Sequence, residues 1–453
     1  MTSTRSKTIF LAAMVVVFIS IIAVAYMALI PYIDHPSRDL SKNIDWSYLN
    51  RGLDRIHGFR DTLSWWTGPW CGEVPFWRPL TSYVFWGERL LWPKELMLPR
   101  QVIHLILHLV FVGMAGYLVW KLTRRRWLVL MSVWLFAGFR PFFVTEFFGY
   151  NPALRDLLGN PKNVMDPLAG IAMMASLLLL LKGRWPASLG FAAVSVGFKE
   201  IGFMTWPMAL LIVLWMRWSM TRPLPSSTIN RSSAIALAKE DQPSPIQFGW
   251  LPVSAWAGGF VILAVVHYFG VGFGYRMGTN AAWLSRAELY FGGPVGRLFI
   301  LDDPSPAIVS LLVFLAIVGF RKLSLLPRFV GIMAALAVGV LLDTHLQNTT
   351  WDASAVRLLT YRLDLKIVLV CLFWLLVAWE SRRDWKTVGF GLGICLAASL
   401  PSWTATQTQE HTRYIGSFFM EMAVAAALFS SFNGVWKTLS QSRKVSSAYS
   451  GSE

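Results

Sequence analysis

Lys121-Leu122-Thr123-Arg124-Arg125-Arg126 stands between two apolar runs, residues 102–119 and 127–143. A dense basic cluster in a short connection of this kind marks a cytoplasmic loop between two membrane spans. Working outward from it, the same alternation recurs along the chain. Residues 1–8 are polar and carry Arg5 and Lys7, and residues 9–30 are then apolar. A run of about 22 residues crosses a hydrocarbon core, which needs ~20. It exceeds the ~7–15 residues of a signal-peptide core and has no clear small-x-small site, so it reads as a retained span. Residues 31–98 then form a first outer loop, and 102–119 returns to the basic cluster.

Further along, 127–143 goes out and 164–181 comes back to Lys182-Gly183-Arg184. The run 187–215 is interrupted by Phe198-Lys199-Glu200. One continuous span would place an ion pair inside the membrane at a cost of several kcal/mol, about the cost of charged groups at that depth. Two short spans with Lys199 and Glu200 at an outer turn fit better. Residues 218–249 are rich in Pro, Ser and charge and read as a cytoplasmic linker. Apolar runs at 251–269, 307–320, 330–342, 363–379, 388–400 and 414–432 follow, and residues 437–453 form a basic, Ser-rich cytoplasmic tail. The expectation is an all-α polytopic domain over 1–436, with about twelve spans of the length a bilayer requires. Its outer loops would fold over a lateral groove, and both termini would be cytoplasmic in the plasma (inner) membrane.

Composition agrees. The chain is 55% hydrophobic and 15% charged, with mean hydropathy +0.50, where a soluble domain carries roughly 25% charged residues. The net charge of +16 does not point to nucleic acid, because the basic residues sit in short clusters between apolar runs. The 23 Trp and 30 Phe suit interfacial belts and a lipid-lined groove. Cys71, Cys371 and Cys395 are too few for a disulfide framework.

The candidate chemistry lies in the outer loops. The first contains Asp34, Asp39, Asp45, Asp54, Asp61 and Glu73. Transfer to a hydroxyl or amine needs a carboxylate that takes a proton or orients a metal. Asp45 precedes an amphipathic stretch with Trp46 and Leu49 on its apolar face, and Asp34 directly follows the first span; solvated loop acids or helix caps are the competing reading. In Phe76-Trp77-Arg78-Pro79-Leu80-Thr81-Ser82, an arginine beside a proline and aromatics suits bidentate phosphate binding at the interface. An interfacial anchor is its alternative. His104 and His108, four apart, share a helical face; they read as interhelical hydrogen-bonding groups, with metal or phosphate binding as the competing role. Lys199 would neutralise a phosphate with Glu200 orienting it, or the two would form a plain salt bridge. Arg357 and Tyr361, with Arg362, would complete a cationic groove, or serve as interfacial anchors.

These stretches resemble the large membrane glycosyltransferases of the GT-C class, nearest to relatives of the protein O-mannosyltransferases. Trp77-Arg-Pro-Leu-Thr-Ser82 and Arg100-Gln-Val-Ile-His-Leu-Ile-Leu-His108 are similar to that family's R-P-L-T and H-x-x-N-x-x-L-H elements. Lys162-Asn-Val-Met-Asp166, Gly197-Phe-Lys-Glu200 with Trp206-Pro207, and Val356-Arg-Leu-Leu-Thr-Tyr361 resemble its later motifs, in family order. The resemblance covers roughly residues 30–380. It implies a polyprenyl-phosphate sugar as donor and a first-loop carboxylate as base, acting by direct (inverting) displacement. By that carry-over Asp45 is the base or metal-orienting acid and Asp34 the competing assignment. Arg78, Lys199, Arg357 and Tyr361 face the donor phosphate, Glu200 positions Lys199, and Asp166, His104 and His108 line the remaining pocket. The family's paired acids after the first span are single here, which leaves the base between Asp34 and Asp45. A divalent cation (Mg or Mn) is compatible with the site, and neither sugar nor acceptor is specified. A polyprenyl-lipid flippase or transporter without chemistry is the contrasting class.

Overall fold

The computed structural model describes residues 2–34, 55–70, 76–93, 96–138, 161–220, 250–271 and 385–404, with 414–416, 418–419, 422–423 and 425–426. Among the described residues the secondary structure is helical and contains no β-strand; Trp70 makes an isolated bridge, its N–H donating to the Phe76 carbonyl at 2.8 Å. Asp45, Arg357 and Tyr361 lie outside the described residues. Asp34 is the last residue of the first helix, and its side chain is likewise outside.

Two helices are long and apolar enough to cross a membrane, by length and composition: α1 (Thr2–Asp34), through its segment Thr8–Tyr26, and α5 (Leu98–Thr123). Met165–Leu181, Trp185–Phe198, Glu200–Met216, Ser254–Phe269 and Lys386–Ala398 are apolar helical segments of shorter length. The chain divides into two compact units, Met1–Gly138 with Tyr150–Gly278 and Gly393–Phe418, and Phe139–Gly149 with Thr279–Leu392 and Phe419–Glu453.

In the first unit, short helices α2 (Phe59–Thr62) and α3 (Ser64–Thr67) pack on α4 (Pro79–Leu91). Pro79 occupies the first turn of α4, where its missing N–H costs no hydrogen bond. After α5, Arg124 adopts a left-handed conformation (φ 55°) and turns the chain into α6 (Arg126–Val133). Where sequence alone suggests one plain helix over 127–143, the helix widens to a π-turn at Trp134–Gly138. The wider turn carries three consecutive buried residues, Leu135, Phe136 and Ala137.

A 3₁₀ turn, Pro161–Val164, leads into α7 (Met165–Leu181), which packs against α5 and α8 (Trp185–Phe198). The α7–α8 contact is fastened reciprocally: Ser176 Oγ donates to the Ser188 carbonyl (2.7 Å) and Ser188 Oγ to the Ser176 carbonyl (2.8 Å). Small residues hydrogen-bonded across a close helix interface are the usual solution where hydrophobic driving force is weak. Gly197 serves the same closeness, since a Cβ there would fall 2.8 Å from Leu80 Cδ1 of α4. The helix break falls where Phe198-Lys199-Glu200 interrupts the apolar run: α8 ends at Phe198, Lys199 is extended (φ −161°, ψ 145°), and a 3₁₀ turn, Glu200–Met204, leads into α9 (Thr205–Met220). α10 (Trp250–Val271) packs against α8. Residues 414–418 add Tyr414 and Phe418 to a buried aromatic core with Phe111 and Phe136.

In the second unit, the beginning of α11 (Trp385–Thr404) approaches Phe419, Met422 and Ala423; a Cβ on Gly391 would meet Met422 and Ala423.

Candidate functional site

The centre of the first unit is a buried cluster of four charges. Arg78 N-caps α4, and three residues, Phe76, Trp70 and Met165, surround its guanidinium. Its Cζ lies 4.3 Å from the Phe76 ring centroid and 5.1 Å from that of Trp70, a cation–π arrangement on two sides. Arg78 Nε donates to Glu200 Oε2 (2.9 Å) and Oε1 (3.1 Å), and Nη2 donates to Oε2 (2.8 Å). Lys199 Nζ donates to Asp166 Oδ1 at 2.5 Å. All four residues are at most 6% exposed. Buried charges are tolerated when paired and hydrogen-bonded, and here two cations and two carboxylates cancel.

This pairing corrects one expectation. Glu200 does not bond Lys199, either to orient it or as a plain salt bridge. The extended backbone at Lys199 sends consecutive side chains to different helices, Lys199 to α7 and Glu200 to the start of α4. Asp166, placed in the site by resemblance alone, is therefore the counter-ion of Lys199. Its Oδ2 is buried without a hydrogen-bond partner.

Local structure supports this geometry. Trp77 Nε1 donates to the Trp66 carbonyl (2.9 Å), Ser82 Oγ to the Thr62 carbonyl (3.2 Å) and Arg89 Nη1 to the Ile56 carbonyl (2.9 Å), tying residues 56–66 to α4. Asp61 accepts from the backbone N–H groups of Gly58 (2.8 Å) and His57 (2.7 Å), which hold its carboxyl below the ordinary carboxylate range.

His104 and His108 are both buried on α5 but serve different partners. His104 Nε2 lies 3.4 Å from Glu88 Oε1, and Arg100 Nε lies 3.7 Å from Glu88 Oε2. His108 Nδ1 is 2.7 Å from Tyr414 Oη, with the ring stacked on Phe136. The two histidines form no common metal site, and among the described residues no three His, Cys, Asp or Glu side chains are grouped to hold a metal ion.

Two further buried residues escape a reading by motif. Glu88 sits on α4, whose amphipathic pattern hides it among the helix's polar positions. His267 is a lone imidazole in the apolar run Val265-Val266-His267-Tyr268-Phe269 of α10, and that isolation is the signal that could have found it. Its ring packs edge-on against Trp77 (6.3 Å) and Phe203 (5.6 Å), and its Nε2 is buried with no hydrogen-bond partner. Arg78 and Glu200 both act on it electrostatically.

No protein-family model, curated protein or solved structure matches the chain.

Proposed function

We propose that this chain is a membrane glycosyltransferase that takes a sugar from a polyprenyl-phosphate donor and passes it to an acceptor on the extracytoplasmic face. In this reading it is a multi-pass protein of the plasma (inner) membrane with about twelve spans and cytoplasmic termini. One observation carries the proposal. Arg78, Asp166 and Lys199-Glu200, far apart in sequence and each in a stretch that resembles a separate glycosyltransferase motif, converge in one buried cluster.

Arg78 and Lys199 would stabilise the phosphate released as the anomeric carbon is displaced, since fixed donors aimed at developing charge in a dry site are effective. Both cations are neutralised by carboxylates at rest. Donor binding therefore exchanges Glu200, Asp166 or both for phosphate oxygens, with Arg357 and Tyr361 as further phosphate contacts. Asp45, or Asp34 in its place, takes the acceptor proton and would also be the residue to orient a divalent cation such as Mg or Mn.

The test is sugar release by the purified chain from a panel of radiolabelled polyprenyl-phosphate sugars. Wild type is run beside Asp34→Asn, Asp45→Asn and the paired neutral variant Arg78→Gln/Glu200→Gln. Turnover lost in one aspartate variant that still binds lipid identifies the base; absence of turnover with every donor overturns the proposal.

A second reading has its own support. Arg100, Gln101, His104 and His108 are all buried along α5, and polar groups spaced along the depth of a span are what a lipid transporter requires. Movement of polyprenyl phosphate across vesicles without sugar release would select it.

A further inference from the structure

Beside Arg78 two ring nitrogens are buried without a hydrogen-bond partner among the described residues: Trp70 Nε1 and His267 Nε2. An indole nitrogen is a donor only, so Trp70 calls for an acceptor. Its ring lies against the Arg78 guanidinium, 5.1 Å from Cζ, so that donor is held beside a fixed positive charge. His267 is 8% exposed and is fixed by Trp77, the neighbour of Arg78, and by Phe203, three residues beyond Glu200. A buried N–H left without an acceptor is costly, and His267 Nε2 meets the same need in the tautomer that carries its proton there. Unlike Arg78 and Lys199, neither nitrogen has to surrender a carboxylate to accept a new partner.

From His267 a run of aromatic rings continues along α9 and α10. Phe203 meets Phe260 (5.7 Å), Phe260 meets Trp206 (5.4 Å), and Trp206 meets Trp256 (5.5 Å). Trp206 Nε1 donates to the Trp256 carbonyl at 2.7 Å, fixing the ring. Phe260, midway along the strip, is 37% exposed, whereas His267 and Trp256 at its two ends are buried, so the strip opens to the surface at Phe260 and leads inward through Phe203 to the charges. A long apolar tail ending in an anion matches both ends of this path.

We infer that Trp70 and His267 are phosphate-binding residues beside Arg78, and that the aromatic strip Phe203–Phe260–Trp206 seats the isoprenoid tail of the same ligand. The inference rests on the glycosyltransferase reading for the identity of that lipid as a donor, but the anion site itself does not require turnover.

The experiment measures binding to the full chain in nanodiscs, with farnesyl phosphate, inorganic phosphate and farnesol as probes. The variants are Trp70→Phe, which keeps the ring and removes its N–H, His267→Gln and Trp206→Leu. Each of the first two is expected to weaken farnesyl phosphate roughly tenfold, the effect of one lost hydrogen bond to a charged group. Farnesol binding and the melting temperature should stay unchanged. Trp206→Leu should weaken farnesyl phosphate and farnesol alike. Wild-type affinity for farnesyl phosphate in both Trp70→Phe and His267→Gln overturns the inference while leaving the proposed function intact. Inorganic phosphate binding as tightly as farnesyl phosphate overturns the lipid half. No binding of farnesyl phosphate to wild type overturns the inference; sugar release from longer donors, measured separately, then decides the proposed function.

Discussion

Arg78 and Glu200 stand 122 positions apart in the chain and meet through a bidentate, buried ion pair with contacts of 2.8 to 3.1 Å. Removing either partner leaves an uncompensated charge in a dry site, at a cost of about 3–5 kcal/mol. Arg78→Gln and Glu200→Gln should each lower the melting temperature sharply, and the double variant should recover most of the loss. On the proposed function the double variant should still fail to release sugar, because the donor phosphate would have lost its guanidinium. Recovery of both stability and activity would show that the pair serves the fold alone.

Gly202 allows the turn that presents Glu200. A Cβ there would run into the backbone at Ser195 and Val196, and backbone cannot yield as a flexible side chain can. Gly202→Ala is expected to destabilise by at least about 3 kcal/mol, the upper range for overpacking. Gly190→Ala, a helical site with open space, should be neutral or stabilising. Thermal melts of the two variants in one detergent decide it; equal melting temperatures would contradict the crowding at Gly202.

The His108–Tyr414 contact predicts a modest effect. Tyr414→Phe removes the hydroxyl that stands 2.7 Å from His108 Nδ1, and side-chain hydrogen bonds between packed helices of membrane proteins average about 0.6 kcal/mol with a maximum near 1.7. A loss in that range is expected, with Tyr414→Phe adding nothing in a His108→Phe background. Additive losses would mean that the two groups act independently.

Asp61 gives the fold an acid limb. A carboxyl held below its ordinary value of 3.8 contributes its stability fully above that pH and loses it as the pH falls through the lower folded value. Wild type should therefore lose stability on acidification below about pH 4, and Asp61→Asn should lose less over the same interval. Tryptophan fluorescence melts between pH 3 and 6 compare them; parallel curves would remove Asp61 from the account.

Much of the helical layout is legible in the sequence. Apolar runs and the charged break at Lys199-Glu200 both report local physics, and the helices that follow those runs begin and end close to them, whereas the helix Pro79–Leu91 lies in what reads as an outer loop. The pairing of charges was not legible. It depends on which helices pack together, and adjacency in sequence suggested Lys199 with Glu200, whereas extended backbone between two helical segments separates them. Glu88 and His267 were missed because each is a single polar residue whose meaning comes from neighbours on other helices. The π-turn at Trp134–Gly138 has no signature in a hydropathy pattern that reads every helix with the same period.

The dipeptide Lys199-Glu200 also sets an order of events during biogenesis. As the chain leaves the ribosome, Arg78 and Asp166 emerge first, and the counter-charges they hold in the finished protein are synthesised last, side by side. Until that moment neither earlier segment can settle into its final dry environment with the partner it keeps. Two adjacent codons thus act as the closing clasp of the first half of the protein. A nascent chain arrested before them should retain α4 and α7 in a wetter, more protease-accessible state than one arrested after Met220.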